Sequence, residues 1–103
     1  MVYKLKITQS FEDDLAAVLE YISNKLYNTS AARRLLFSAE KKISLIVENP
    51  SLYPLYHDEK LAQKGYHYVP VANYLIFYII DKSDKTVFIT RFLYGGQNIS
   101  AVI

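Results

Sequence analysis

Apolar and polar positions alternate strictly over Val2–Thr8. Tyr3, Leu5 and Ile7 fall on one face, and Lys4, Lys6 and Thr8 on the other. A period of two predicts a half-buried strand. The period then changes. Phe11, Leu15, Val18, Leu19, Ile22 and Leu26 follow helical spacing, and the helix should end near Tyr27-Asn28. Ser10 is the expected cap, with Glu12, Asp13 and Asp14 where the helix dipole favours anions. A second helix starts at Thr29 or Ser30. Ala32, Leu35, Leu36, Ala39, Ile43, Ile46 and Val47 form its apolar stripe, and Asn49-Pro50 stops it. The short gap between the two helices predicts an antiparallel helical hairpin.

Beyond Pro50 the pattern changes again. Ser51–Lys64 reads as a loop in which Pro54 interrupts Leu52, Tyr53, Leu55 and Tyr56. Tyr66–Val71 is a strand, expected at an edge or bulged because Pro70 has no N–H to donate. Two runs of β-branched and aromatic residues follow, about Tyr74–Ile80 and Thr86–Tyr94. Their near-continuous apolarity predicts paired central strands packed on both faces and joined by a short hairpin. Gly95-Gly96 ends the sheet, and the tail to Ile103 is short. The order β, α, α and then a β-meander predicts an α+β fold of two layers, a small antiparallel-rich sheet on a helical hairpin. The 103 residues suffice for one domain, spanning 1–103.

Composition narrows the function. There is no cysteine, so disulfides and thiolate metal sites are excluded. That usage, with no signal-peptide pattern at Met1–Lys6, reads as cytoplasmic. No apolar run reaches the roughly 20 residues a membrane helix needs. Net charge is +2, which permits a nucleic-acid partner without arguing for one. Ten tyrosines exceed what a small core requires and suggest work at a surface. Arg33, Arg34, Lys41 and Lys42 give the second helix a basic side, read as a solvated face. The acidic Glu12-Asp13-Asp14 cluster is accounted for by capping and needs no metal. No phosphate loop, zinc spacing or nucleophile triad is present, and no cofactor is expected.

One charge, Arg91, lies inside the last apolar run. Burying a guanidinium costs several kcal/mol, by the order-of-magnitude estimate for ions, unless it is paired or meets water or a ligand. Arg91 therefore has a carboxylate partner, such as an acidic residue of the helices, or it marks a site. If the helices cover one sheet face, the other is open. Its candidate polar groups are Lys4 and Lys6, His67, and Thr90 or Arg91 with Tyr94. Regular alternation would put Arg91 and Tyr94 on opposite faces.

The wording of the last third resembles a known family. Asn73-Tyr74-Leu75-Ile76-Phe77-Tyr78, an Asp ahead of a Val-x-Ile strand, and Arg91-Phe-Leu-Tyr-Gly-Gly-Gln-Asn98 are similar to the RelE/ParE superfamily. These are toxins of type II toxin–antitoxin pairs, and the resemblance runs through the preceding helices. It implies a growth-arresting toxin bound by a cognate antitoxin in a hetero-oligomer. Two mechanisms are implied. One is metal-independent mRNA cleavage at the ribosome; the other is inhibition of DNA gyrase, as in the ParE branch. A decayed toxin that only binds its antitoxin is a third reading.

For ribonuclease action the resemblance leaves His67, Arg91 and Tyr94 as the catalytic set, with Lys4, Lys6 and Lys64 as phosphate contacts. The chain departs from the common residues at several points. His67 stands where Arg or Lys is frequent, Val69 where a second Lys occurs, and Leu75 where Arg is frequent. Gly95-Gly96-Gln97 replaces a basic run, and Tyr94 stands where many relatives have His. These losses favour the gyrase reading. Ribonuclease action is the commoner activity of the superfamily, and on that ground the resemblance places ribosome-dependent mRNA cleavage first and gyrase inhibition as the alternative. The antitoxin should be a disordered segment that folds on the toxin, as a helix across Phe11–Val47 and then extended along a sheet edge.

Overall fold

The computed structural model describes residues 2–103. Strand β1 (Lys4–Ile7) is followed by α1 (Gln9–Glu20) and α2 (Thr29–Glu48). A short helix α3 (Glu59–Gln63) precedes β2 (His67–Val71), β3 (Tyr74–Asp81) and β4 (Thr86–Tyr94), and α4 (Ile99–Val102) ends the chain. The sheet order is β1-β4-β3-β2. β1 runs parallel to β4, and the other neighbours are antiparallel. The expected α+β fold with a helical hairpin on a small sheet is therefore present.

The cap of α1 is Thr8, not Ser10; its side chain accepts from Phe11 N–H at 3.2 Å. Thr8 is in the better place because its Oγ1 also donates to Thr90 O at 2.9 Å, tying the helix start to the sheet. α1 gives way at Tyr21–Lys25 to a wider π turn, in which Leu26 N–H bonds Tyr21 O at 3.2 Å. Tyr27, at φ +51°, then reverses the chain. Asn28 caps α2 by accepting from Ala31 N–H at 3.0 Å.

The main core lies between the hairpin and one sheet face. Phe11, Leu35, Ala39, Ile43 and Ile46 meet Val69, Ile76, Tyr78, Val87, Ile89 and Phe92, all buried. Phe11 and Phe92 pack edge to face at 5.8 Å. Alternation predicts a half-buried β1, yet all four of its residues are exposed. It is an outer strand, so one of its sides has no neighbour to cover it.

The opposite sheet face is not open as expected. Tyr56, Leu61, Phe77, Leu93 and Ile99 form a second buried cluster, flanked by Tyr66, Tyr68, Leu75 and Ile103. The segment read as loop supplies α3, which brings Leu61. The tail read as short supplies α4, which brings Ile99. Each is too brief to show a helical period, and each is held by one or two apolar anchors. Tyr56 meets Phe77 and Tyr68 edge to face, both at 5.2 Å. What stays open on this face is the β1 end, with Lys4 and Lys6 beside Phe88.

β4 carries a bulge. Phe77 pairs with Arg91, but Tyr78 pairs with Ile89, so Thr90 is the extra residue. Its Oγ1 donates to Phe77 O at 3.0 Å. The extra residue reverses the facing of the second half of the strand. Val87 and Ile89 point to the helices, and after the bulge Phe92 does so in place of Arg91.

Candidate functional site

β1 ends against Ile89, so the last part of β4 has no strand on that side. Asp14 of α1 fills the gap. Its Oδ2 accepts from Arg91 Nε at 2.7 Å and from Phe92 N–H at 3.0 Å, and its Oδ1 accepts from Arg91 Nη2 at 3.0 Å. The carboxylate thus holds the guanidinium by two bonds and ends the strand's ladder with a third. Hydrogen bonding to Asp14 raises the Arg91 pKa above its ordinary value, and burial opposes this more weakly. Of the two roles read for Arg91, the carboxylate partner from a helix is the one present. Asp14 is the residue that sequence reasoning passed over. Its signal was its place between Phe11 and Leu15, beside the buried stripe.

His67 lies on β2 and turns to the helical side. Its Nδ1 is 2.7 Å from Tyr53 O, and its ring stacks on Tyr78 at 5.0 Å. Tyr78 is fully buried, and its hydroxyl donates to Pro50 O at 2.6 Å. Burial pushes this phenol well above its ordinary range, and Tyr53 adds to the shift. These bonds pin the segment after α2 onto the sheet. Tyr56 N–H to Tyr66 O at 2.8 Å and Tyr68 N–H to Pro54 O at 3.2 Å extend the pinning along the outer side of β2.

Tyr94 is half exposed at the far end of β4. Its ring meets Tyr74 edge to face at 6.1 Å and folds over Gly96. A Cβ at position 96 would lie 2.5 Å from that ring, so glycine there lets the phenol lie down. Arg91 pairs with Phe77 and Tyr94 with Tyr74, three residues apart in each strand, so the two point to opposite faces. His67 sits across from Tyr78 and Tyr94 across from Tyr74. Four residues along a strand separate them by roughly 13 Å. The fold therefore does not bring His67, Arg91 and Tyr94 together.

The basic candidates are also dispersed. Lys4 pairs with Asp84 at 3.5 Å in full solvent, which contributes little. Lys6 is exposed on β1, and Lys64 is exposed just after α3. Among the described residues no group of three acidic, histidine or cysteine side chains could hold a metal. Among them, too, no helix is long and apolar enough to cross a membrane.

The surface offers concavities at the end of the helical hairpin. One open cleft of about 290 Å³ is lined by Ile22, Leu26, Ala31, Leu35, Ala72 and Tyr74. A second, of about 190 Å³, lies between Leu19, Ser23, Ala32 and Leu36. Leu26 is exposed, as are Tyr21 and Tyr27 in the same turn of the chain. Among the described residues no strand pairs with the outer edge of β1. Lys4 N–H bonds Lys85 O just ahead of β4 and Thr8 N–H bonds Ile89 O within it, so alternation turns the N–H and C=O of Leu5 and Ile7 outward. The other sheet edge is blunted by Pro70 and by the Leu55–His67 bridge.

A helical hairpin on this sheet is the fold that the resemblance to the RelE/ParE superfamily of toxins implies. The family model described as the ParE toxin of the type II toxin–antitoxin system parDE matches residues 5–99, and the chain belongs to that family. Among solved structures it is similar to a chain of the chromosomal ParDE toxin–antitoxin system from P. aeruginosa. That match has 14% identity and a TM-score of 0.71, and covers 90% of this chain and 96% of the other. It is also similar to a chain of the RelBE2 toxin–antitoxin complex from Mycobacterium tuberculosis. There the identity is 18% and the TM-score 0.52, with 91% of this chain and 99% of the other covered. No protein of curated function matches the sequence.

Proposed function

We propose that this toxin arrests growth in the cytoplasm by binding DNA gyrase, and that a cognate antitoxin holds it inactive. The observation that carries this reading is the state of the three groups that RNA cleavage would use. Cleavage needs a base, a cation and an acid converging on one phosphate. Here Arg91 is engaged by Asp14, His67 by Tyr53 and Tyr78, and Tyr94 points away from Arg91. A binding toxin needs no such convergence. The antitoxin has two kinds of surface to occupy. The clefts of the hairpin suit an amphipathic helix, and the bare β1 edge suits an added strand. That strand would set apolar side chains beside Leu5 and Ile7 and acidic ones beside Lys4 and Lys6.

The test is induction of the toxin alone and with its neighbouring small protein. Gyrase binding predicts an SOS response, filamentation and trapped DNA breaks, relieved by co-expression. The double variant His67→Ala/Tyr94→Phe should stay fully toxic if it stays folded. Ribosome-dependent cleavage of mRNA, weakened roughly 10²–10⁴-fold by either change, would replace this reading with the ribonuclease one. Unimpeded growth at confirmed soluble expression would leave a protein that only binds its antitoxin.

A further inference from the structure

The outer face of α2 carries a patch that neither the core nor the β1 edge uses, and that meets a cleft only at Arg33. Ala32, Leu35, Ala39, Ile43 and Ile46 are the buried positions of α2. At 3.6 residues per turn, Arg33, Arg34, Phe37 and Lys41 lie opposite that stripe. All four are exposed, and Phe37 keeps 67% of its surface in water. Arg33 and Arg34 precede Phe37 by four and three residues, and Lys41 follows by four. Those are the spacings of helical neighbours, so Phe37 is flanked by three cations, with the exposed Glu40, three residues on, as its fourth neighbour. Among the described residues no ion pair is formed by Arg33, Arg34 or Lys41, so these three cations have no carboxylate partner. Glu40, on the flank of the stripe, pairs with none of them. A solvated face accounts for the charges but not for a phenyl at their centre.

We propose that this face binds single-stranded nucleic acid, with the three cations on the phosphodiester backbone and Phe37 stacked under a base. The stretch from Arg33 to Lys41 spans about 12 Å of helix axis, enough to meet several phosphates of a strand. Cations lining a backbone path with an aromatic platform between them are what sequence-tolerant binding of single strands requires. An acidic amphipathic helix would instead need a continuous apolar stripe to lie on. Here the apolar position is isolated among charges, with Arg33, Arg34, Lys41 and Glu40 around it and a net charge of +2. A duplex keeps its bases stacked inside and would leave Phe37 without a partner.

The full chain is titrated against a fluorescein-labelled deoxythymidine 12-mer, read by anisotropy at several salt concentrations. Three phosphate contacts predict a slope of log affinity against log salt near −2, about 0.7 per contact. Arg33→Gln, Arg34→Gln and Lys41→Gln should each flatten that slope by about 0.7. Phe37→Ala should weaken binding by about 5- to 150-fold and leave the slope unchanged, because stacking releases no counterions. Lys82→Gln, the same charge change in the β3–β4 turn, should leave both unchanged. Thermal melts confirm the fold of each variant, and the wild-type slope stands whether or not a variant folds. Failure of the wild type to bind at about 50 mM salt would overturn the proposal. So would indifference to the four substitutions, or equal competition by a polyglutamate peptide or by a duplex of the same length. None of these results depends on whether gyrase or mRNA is the toxin's target.

Discussion

Asp14→Asn is the most informative single change, because one carboxylate does three things. It removes the charge facing Arg91 and turns one acceptor oxygen into a donor. Two bonds from a guanidinium and one from Phe92 N–H converge on the native carboxylate, at 2.7, 3.0 and 3.0 Å. Breaking one partner of a fully buried pair costs about 3–5 kcal/mol. The two side chains keep 25% and 17% of their surface, so water screens part of the loss. The substituted amide can also still accept from Phe92 N–H through its remaining oxygen. The expected cost is about 2–3 kcal/mol after that discount. For a domain of this length that lowers Tm by roughly 10–20 °C. Arg91→Met keeps the aliphatic stem and the Asp14–Phe92 bond, and should cost less, about 1–2 kcal/mol. The double variant should then cost less than the sum of the two, with a coupling of about 1–2 kcal/mol. Urea unfolding followed by circular dichroism measures all four proteins. A change under about 0.5 kcal/mol for Asp14→Asn, or strict additivity, would refute the structural role of the pair. Arg91 would then be free to serve a ligand.

Local geometry carries two more predictions. Tyr78→Phe loses the bond to Pro50 O and should cost about 1 kcal/mol near neutral pH. The folded pKa of Tyr78 is raised, so its contribution is complete below the unfolded value of about 10 and falls as pH rises above it. Tyr78→Phe should therefore flatten the alkaline loss of stability, and an unchanged alkaline limb would count against the assignment. Ala72 holds φ +54° in the two-residue turn between β2 and β3. Glycine adopts that conformation without strain, so Ala72→Gly should stabilise by about 0.5–1 kcal/mol and raise Tm by a few degrees. A lower Tm would show that the turn is not strained.

Much of this fold was legible in the order of its residues. The stripe from Ala32 to Ile46, the stop at Asn49-Pro50 and the bounds of β4 are local properties, set by side-chain period and by proline. Pro70 likewise limited β2 to an edge or a bulge, because a missing N–H is tolerated only where nothing accepts from it, and the structure shows the edge. The apolar runs of β3 and β4 called for cover on both faces, although the face away from the hairpin was also expected to be open. What they could not name was the cover, because α3 and α4 are only five and four residues long. Such short helices form when a tertiary surface receives Leu61 and Ile99, not from any periodicity of their own. Arg91 shows the other limit. By strict alternation it shares a face with Val87 and Ile89, inside the main core. The single extra residue at Thr90 turns it out and Phe92 in, and Asp14, 77 positions earlier, meets it at the edge that β1 leaves bare. The sequence by itself determined the two long helices and the four strands, and that one cation needed either a partner or a ligand. The tertiary structure decided which way that cation points, what pairs with it, and that His67 and Tyr94 stand apart, because register and packing are properties of segments brought together.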